Sequence, residues 1–241
     1  MRCSILCGGE IVPVFEDVAN IVGDFHAVVD GGGLRVRDVD ASRVCMVDLH
    51  VSKSVFKQLP RRRVILEVYG DEVKRVKHVL EIRGMAEGRR GVEVSVKNGL
   101  AYMNGLVVGK ICSEEHELKV VDDKVLPARF QIGDVAALKR IVTQALKMKY
   151  GYVIFTYSRG WRLTFRRGVE DREGEFTVSP SIFSKPTRRF KAAYSLNILK
   201  PLIIPRFKKA YARAGSDKPL KIEYREGKIK LTVYIAPALL E

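Results

Sequence analysis

The sequence predicts an α+β protein made of two similar halves. Three observations carry this. Helical periodicity and strand alternation follow one another along the whole chain. The order of those segments occurs twice. The 241 residues are 46% hydrophobic, enough for a substantial core, and length alone allows one or two domains.

The first half opens on a strand-like run at residues 1–7. Residues 10–22 then place Ile11, Phe15, Val18, Ala19 and Val22 at helical spacing, with Pro13 in the first turn, where a missing N–H costs little. Phe25–Asp30, the turn Gly31-Gly32-Gly33, the alternating Leu34-Arg35-Val36-Arg37 and Val44–Val51 read as antiparallel strands. A second helix fits residues 71–82, with Val73, Val76, Val79 and Leu80 on one face. Val92–Val96 and Leu100–Met103 flank Asn98-Gly99, a strong hairpin signal.

The second half repeats this order. Strand-like Arg129–Ile132 leads into a helix near residues 134–148, with Asp134 as its N-cap. Tyr152–Tyr157 and Trp161–Arg166 flank a turn at Ser158-Arg159-Gly160. Residues 196–210 are helix-like, interrupted by Pro201 and Pro205. Leu220–Tyr224 and Lys228–Ile235 flank Arg225-Glu226-Gly227. The expected division is residues 1–117, an exposed connecting stretch 118–128 ending near Pro127, and residues 129–241.

Charge divides along the same line. Residues 1–127 hold 19 Lys+Arg and 19 Asp+Glu, whereas residues 128–241 hold 24 and 9, so the whole excess of +15 lies in the second half. Such asymmetry points to a polyanion, nucleic acid first, although a basic surface that only keeps the chain dissolved is the plain alternative. No apolar run approaches the roughly 18–20 residues of a membrane span. The N-terminus lacks the apolar stretch of a secretory signal. These features predict an intracellular protein, in cytoplasm or nucleoid, or in the nucleus of a eukaryote, with no membrane partner.

Enzyme constellations are missing from the pattern. Gly31-Gly32-Gly33 precedes a strand rather than a helix, so it does not build a phosphate loop. Asp38 and Asp40 lack companions and read as turn or salt-bridge groups. Cys3, Cys7, Cys45 and Cys112 show no second pair at metal-ligand spacing, and read as small hydrophobes in a reducing compartment. The expectation is no catalysis, no cofactor and no metal. The basic groups are better ordered. Lys139, Thr143 and Lys147 share a stripe, with Arg140 and Gln144 alongside. Lys74, Arg75, Lys77 and His78 occupy the polar face of the 71–82 helix, and Lys200, Arg206, Lys208, Lys209 and Arg213 cluster later. Apolar backs with basic fronts suit phosphate contact without base readout, or else are solvated faces.

Three stretches carry a resemblance: Gly33–Leu49 (GLRVRDVDASRVCMVDL), Pro219-Leu220-Lys221-Ile222-Glu223-Tyr224, and Tyr234-Ile235-Ala236-Pro237. In order, they resemble segments of DNA sliding clamps of the proliferating-cell-nuclear-antigen type. The resemblance spans the whole chain. It implies the DNA clamp fold: two duplicated domains per subunit, trimeric closure, helices lining a central hole and antiparallel sheets outside. It implies a processivity factor that encircles double-stranded DNA and tethers DNA polymerase and other replication and repair enzymes. Lys74, Lys77, Lys139, Arg140, Lys147, Arg206, Lys208 and Lys209 would face DNA. Enzymes carrying a clamp-binding peptide (PIP-box) would dock against Val39, Val44, Met46, Val125, Leu126, Pro219, Tyr234, Ala236 and Pro237. Subunits would pair edge strands at Gly105–Ile111 and Glu175–Ile182, through Val107, Val108, Lys110, Phe176, Val178 and Ser179. Other clamp subunits and a clamp loader complete the implied partners. The first helix carries Glu10, Glu16 and Asp17 but no Lys or Arg, so one hole-lining helix would be acidic or neutral. The alternatives are a specialised subunit of a heterotrimeric or damage-response ring, and a basic nucleic-acid-binding protein or small nuclease that forms no ring.

Overall fold

The computed structural model describes residues 3–8, 11–87, 91–113, 118–168 and 174–239. Glu10 and the end of the first expected domain, residues 114–117, lie outside them. The chain divides into two compact units, Met1–Leu118 with Gly227–Leu231, and Lys119–Glu226 with Thr232–Glu241.

The first unit contains β1 (Cys3–Gly8), α1 (Ile11–Val22), β2 (Phe25–Asp30), β3 (Gly33–Val39), β4 (Cys45–Ser52), β5 (Phe56–Gln58), β6 (Val64–Val68), α2 (Gly70–Glu87), β7 (Gly91–Lys97), β8 (Leu100–Met103) and β9 (Leu106–Cys112). Its strands run β4-β3-β2-β6-β9-β8-β7-β1-β5, and the pairings are antiparallel. The second unit follows with β10 (Ala128–Ile132), α3 (Val135–Lys147), β11 (Tyr152–Tyr157), β12 (Trp161–Arg166), β13 (Phe176–Val178), β14 (Phe190–Ser195), α4 (Leu196–Leu202), β15 (Ala210–Ala214), β16 (Leu220–Glu226) and, from Thr232 on, β17 (Ile229–Ile235). Its strands run β10-β15-β16-β17 and β13-β12-β11-β14. Each half is a strand, a helix and three strands, twice over, with short β5 as an addition in the first. This is an α+β fold with an internal duplication.

Local chemistry explains the elements. Asn98 and Gly99 have φ of 52° and 79°, the two left-handed residues that a tight hairpin between β7 and β8 requires. Asp134 caps α3 by accepting from Ala137 N–H at 2.7 Å. In α1, Ile11, Val12, Val14, Phe15, Val18, Ala19, Ile21 and Val22 are all buried. Phe15 meets Phe25 edge-on at 5.5 Å. In the second unit, Phe130, Trp161, Phe183 and Phe190 form one aromatic cluster with centroids 4.6–6.0 Å apart. Trp161 Nε1 donates to Ser184 O at 2.9 Å, so the indole is buried without a lost hydrogen bond. Each such ring contributes about 1.5–3 kcal/mol by burial.

Four expectations need correction. The 71–82 helix extends through Gly70–Glu87, because no proline or strong stop follows Leu80. The 196–210 helix ends at Leu202 after seven residues. Pro201 sits inside that short helix, and Pro205 cannot donate a helical hydrogen bond. Gly105–Ile111 is an open edge only at its start. Val68 pairs with Gly109 and Ile65 with Cys112 on one side of β9, while β8 holds the other. A Cβ at Gly109 would lie 2.0 Å from Glu67 O, so the glycine is what admits β6. The connecting stretch is not simply exposed: Leu126 is fully buried while Val125 is open.

Candidate nucleic-acid interface

Eight cations were expected to meet DNA, and the structure sorts them. On α2, Lys74 Nζ lies 3.1 Å from Asp71, an exposed pair within one turn. Lys77 Nζ lies 2.7 Å from Glu16 of α1, with both side chains mostly covered. Lys77 therefore neutralises one of the two acidic groups of α1 and ties the two helices. On α3, Lys139 Nζ donates to Lys200 O, and to Ile203 O at 2.9 Å. It satisfies carbonyls at the C-terminal end of α4, where a cation also meets the negative end of the helix dipole.

The open stripe of α3 is Arg140, Gln144 and Lys147, all exposed, at i, i+4 and i+7. Arg140 only grazes Asp134, at 4.0 Å. Lys147 makes no side-chain contact with a charged partner among the described residues. This differs from the expected stripe through Lys139 and Thr143, which are half-buried. Lys149, exposed with φ 63° just past the helix, was not anticipated as a contact. Its only sequence signal is the Lys147-Met148-Lys149 run.

Arg206, Lys208 and Lys209 stand in the turn between α4 and β15 rather than on a helix. Arg206 is partly covered, lying 4.2 Å over the Phe207 ring and 3.3 Å from Glu226. Lys208 and Lys209 are exposed. The strong phosphate candidates are thus Arg140, Lys147, Lys208 and Lys209, with Lys74 beside them in the first unit.

The chain matches no family model. Over 246 residues it is 25% identical to the DNA polymerase sliding clamp of Methanococcus vannielii, covering 94% of each chain. Over 251 residues it is 26% identical to that of Methanococcus maripaludis, again covering 94% of each. Solved structures agree on the fold. Proliferating cellular nuclear antigen from Entamoeba histolytica superposes at a TM-score of 0.76 with 15% identity, over 99% of this chain and 98% of that one. The A. fulgidus PCNA, solved with the C-terminal region of FEN-1, gives 0.75 with 17% identity over all of both chains. The chain is thus similar over nearly its whole length to DNA polymerase sliding clamps and has the fold of the DNA clamp.

Within this clamp fold, the residues expected to receive partner peptides are distributed over both units. Val39 and Val44 are half-buried and Met46 is buried. Asp40 shapes their loop by accepting from Val44 N–H at 2.8 Å and from Cys45 N–H, with Arg43 at φ 58°. Asp38 accepts from Val39 N–H at 2.9 Å. Both aspartates are therefore backbone organisers. In the second unit, Leu126 and Tyr234 are buried, Pro219, Ala236 and Pro237 are half-buried, and Val125 is 46% exposed. The accessible apolar surface there belongs to Val125 and the prolines. Asp123 anchors the neighbouring stretch, 2.7 Å from Lys221 and 2.9 Å from Arg213. Burial pushes the Asp123 carboxyl up, but the Lys221 hydrogen bond and the charges of Lys221, Arg213 and Arg129 outweigh it and hold the group low.

Of the expected subunit-contact strands, β13 is an open edge, paired among the described residues only with β12. Phe176 and Ser179 are exposed, Val178 half-covered. On β9, Val107 is exposed and Val108 is buried. Lys110 reaches Glu67 at 3.1 Å. No helix among the described residues is long and apolar enough to cross a membrane.

Proposed function

We propose that the chain is one subunit of a DNA polymerase sliding clamp, a processivity factor that surrounds duplex DNA and tethers enzymes to it. Carrying this reading is the end-to-end match to curated clamps, 94% of both chains, on a fold that superposes over full length. Arg140, Gln144, Lys147, Lys208 and Lys209, with Lys74, make the DNA contacts. Such contacts are to phosphate and carry no sequence information, which suits a device that must slide. Tethering raises the local concentration of a bound enzyme and needs no chemistry from the clamp itself.

Partner enzymes dock a short peptide against the apolar residues of the second unit around Val125, Pro219, Ala236 and Pro237. The A. fulgidus relative supports this mode, since it is bound by the C-terminal region of FEN-1. Subunits join through β13 and the start of β9. A loader that opens and closes the ring on DNA follows from the same reading.

The test is topological. Loaded onto a nicked circle, the protein stays; once the DNA is cut to linear, it slides off. Equal retention on both forms removes the clamp reading.

A second reading is favoured by the charge. With +15 overall, a ring of identical subunits repels itself, whereas an acidic companion subunit balances it. A PCNA2–PCNA3 complex from Sulfolobus tokodaii has the same fold at a TM-score of 0.69. A native mass measurement decides: a stable trimer of this chain alone rejects the mixed ring.

A further inference from the structure

We propose that His26, Glu67 and Cys112 form a binding site for one borderline-soft divalent cation, zinc foremost. Their ligand-capable atoms all lie within 4.8 Å of one another. They come from three neighbouring strands of one sheet. His26 of β2 stands directly opposite Glu67 of β6. Glu67 stands opposite Lys110 of β9, and Cys112 lies two residues further along the same face. An imidazole, a thiolate and a carboxylate are the donor set that zinc accepts at about 2.0–2.3 Å, with a water as fourth ligand.

A second observation points the same way. Asp38, almost fully buried, accepts from His26 N–H at 3.0 Å, and its Oδ2 lies 3.0 Å from His26 Nδ1. A carboxylate on one ring nitrogen fixes the tautomer and makes Nε2 the ligand atom, the supporting contact that metal-bound histidines characteristically have. The side chains are half-buried, so an ion can enter from solvent and still lose part of its hydration shell.

Lys110 is the native competitor. Its ammonium lies 3.1 Å from Glu67 Oε2, and an arriving cation displaces it. Binding releases the Cys112 thiol proton to solvent. The ion then ties β2, β6 and β9 together, beside the place where β9 enters the sheet.

The test uses the full chain stripped with a chelator and titrated with Zn²⁺ against a chromophoric chelator, then with Co²⁺ for its absorption bands. One ion per chain is expected, with a thiolate-to-cobalt charge-transfer band and a raised Tm on binding. Cys112→Ser abolishes the band, and both Cys112→Ser and His26→Gln weaken binding about tenfold or more. Asp38→Asn weakens it about 10–100-fold. Lys110→Met strengthens it, since a competing positive charge is gone. Unchanged affinity in Cys112→Ser, or no bound ion in the native chain, overturns the proposal. The zinc-free Tm of each variant separates lost ligation from lost folding.

Discussion

Single side chains settle most of the charge question. Lys139 and Lys147 differ by two helical turns and read alike in sequence, yet one holds main-chain carbonyls and the other faces outward. Lys139→Met is therefore expected to lower stability by ~1 kcal/mol in thermal unfolding and to leave DNA affinity nearly intact. Lys147→Ala should do the reverse. It should reduce the slope of log affinity against log salt by roughly 0.9, with stability unchanged. Asp123 offers a pH test. Its folded carboxyl is held low, so its contribution is present above the unfolded value of about 3.9 and lost as pH falls through the folded one. The side chain is 39% exposed and screened, so Asp123→Asn should cost ~1 kcal/mol at most. Limited proteolysis near Val125 should speed up at neutral pH in that variant, and the difference should fade in acid. The cysteines separate as well. Burial, then the charge of Asp40, pushes the Cys45 thiol up to about 12, so it should resist alkylation until the chain unfolds. Half-buried Cys112 should react in the native state.

At the level of elements, register and close approach decide what periodicity leaves open. β9 reads as a strand from its residues, but nothing in them says that two neighbours will claim it. The glycine at 109 does, once the 2.0 Å approach to Glu67 O is known. Gly109→Ala should cost roughly 1–3 kcal/mol through the forced shift of β6, measured by denaturant unfolding. The outer strand β13 is three residues long and paired on one side. A lysine on an edge strand deters pairing with another chain. Val178→Lys should therefore dissociate the assembly to a folded monomer in sedimentation. A variant that stays assembled places the subunit contact elsewhere. The fate of α4 belongs here too. Pro201 and Pro205 were visible in the sequence. That the helix would stop at Leu202, moving Arg206, Lys208 and Lys209 onto a turn, was not, because a single proline kinks some helices and ends others.

For the molecule as a whole, the proposed function rests on repetition and charge. Two βαβββ-type repeats per half give sheets with helices packed on them, and the excess positive charge sits in one half. Binding to linear DNA should be steeply salt-dependent and nearly blind to sequence. A strong preference for one sequence in a competition assay contradicts sliding. Part of the charge lies away from the contacts named above. Arg162 and Lys191, both exposed, line a groove on the β14-β11-β12-β13 sheet with Arg166 and Glu175. Arg166 is occupied by Glu175 at 3.1 Å.

What the residues determined alone was local and repetitive. Alternation gave the hairpins, Asn98-Gly99 their turn, Asp134 its cap, and the doubled order of segments the α+β duplication with its clamp-like motifs. These depend on interactions between near neighbours, which a linear pattern records. The unforeseen parts depend on distant partners. Strands β6 and β14 escaped notice because short apolar runs carry no period of their own. The conversion of Lys77 and Lys139 from DNA ligands into internal ties needed Glu16 and the carbonyls of Lys200 and Ile203 to arrive beside them. The meeting of His26, Glu67 and Cys112 was equally hidden. Residues 86 positions apart in the chain become neighbours only when β2, β6 and β9 pair, and strand pairing is a property of the folded sheet.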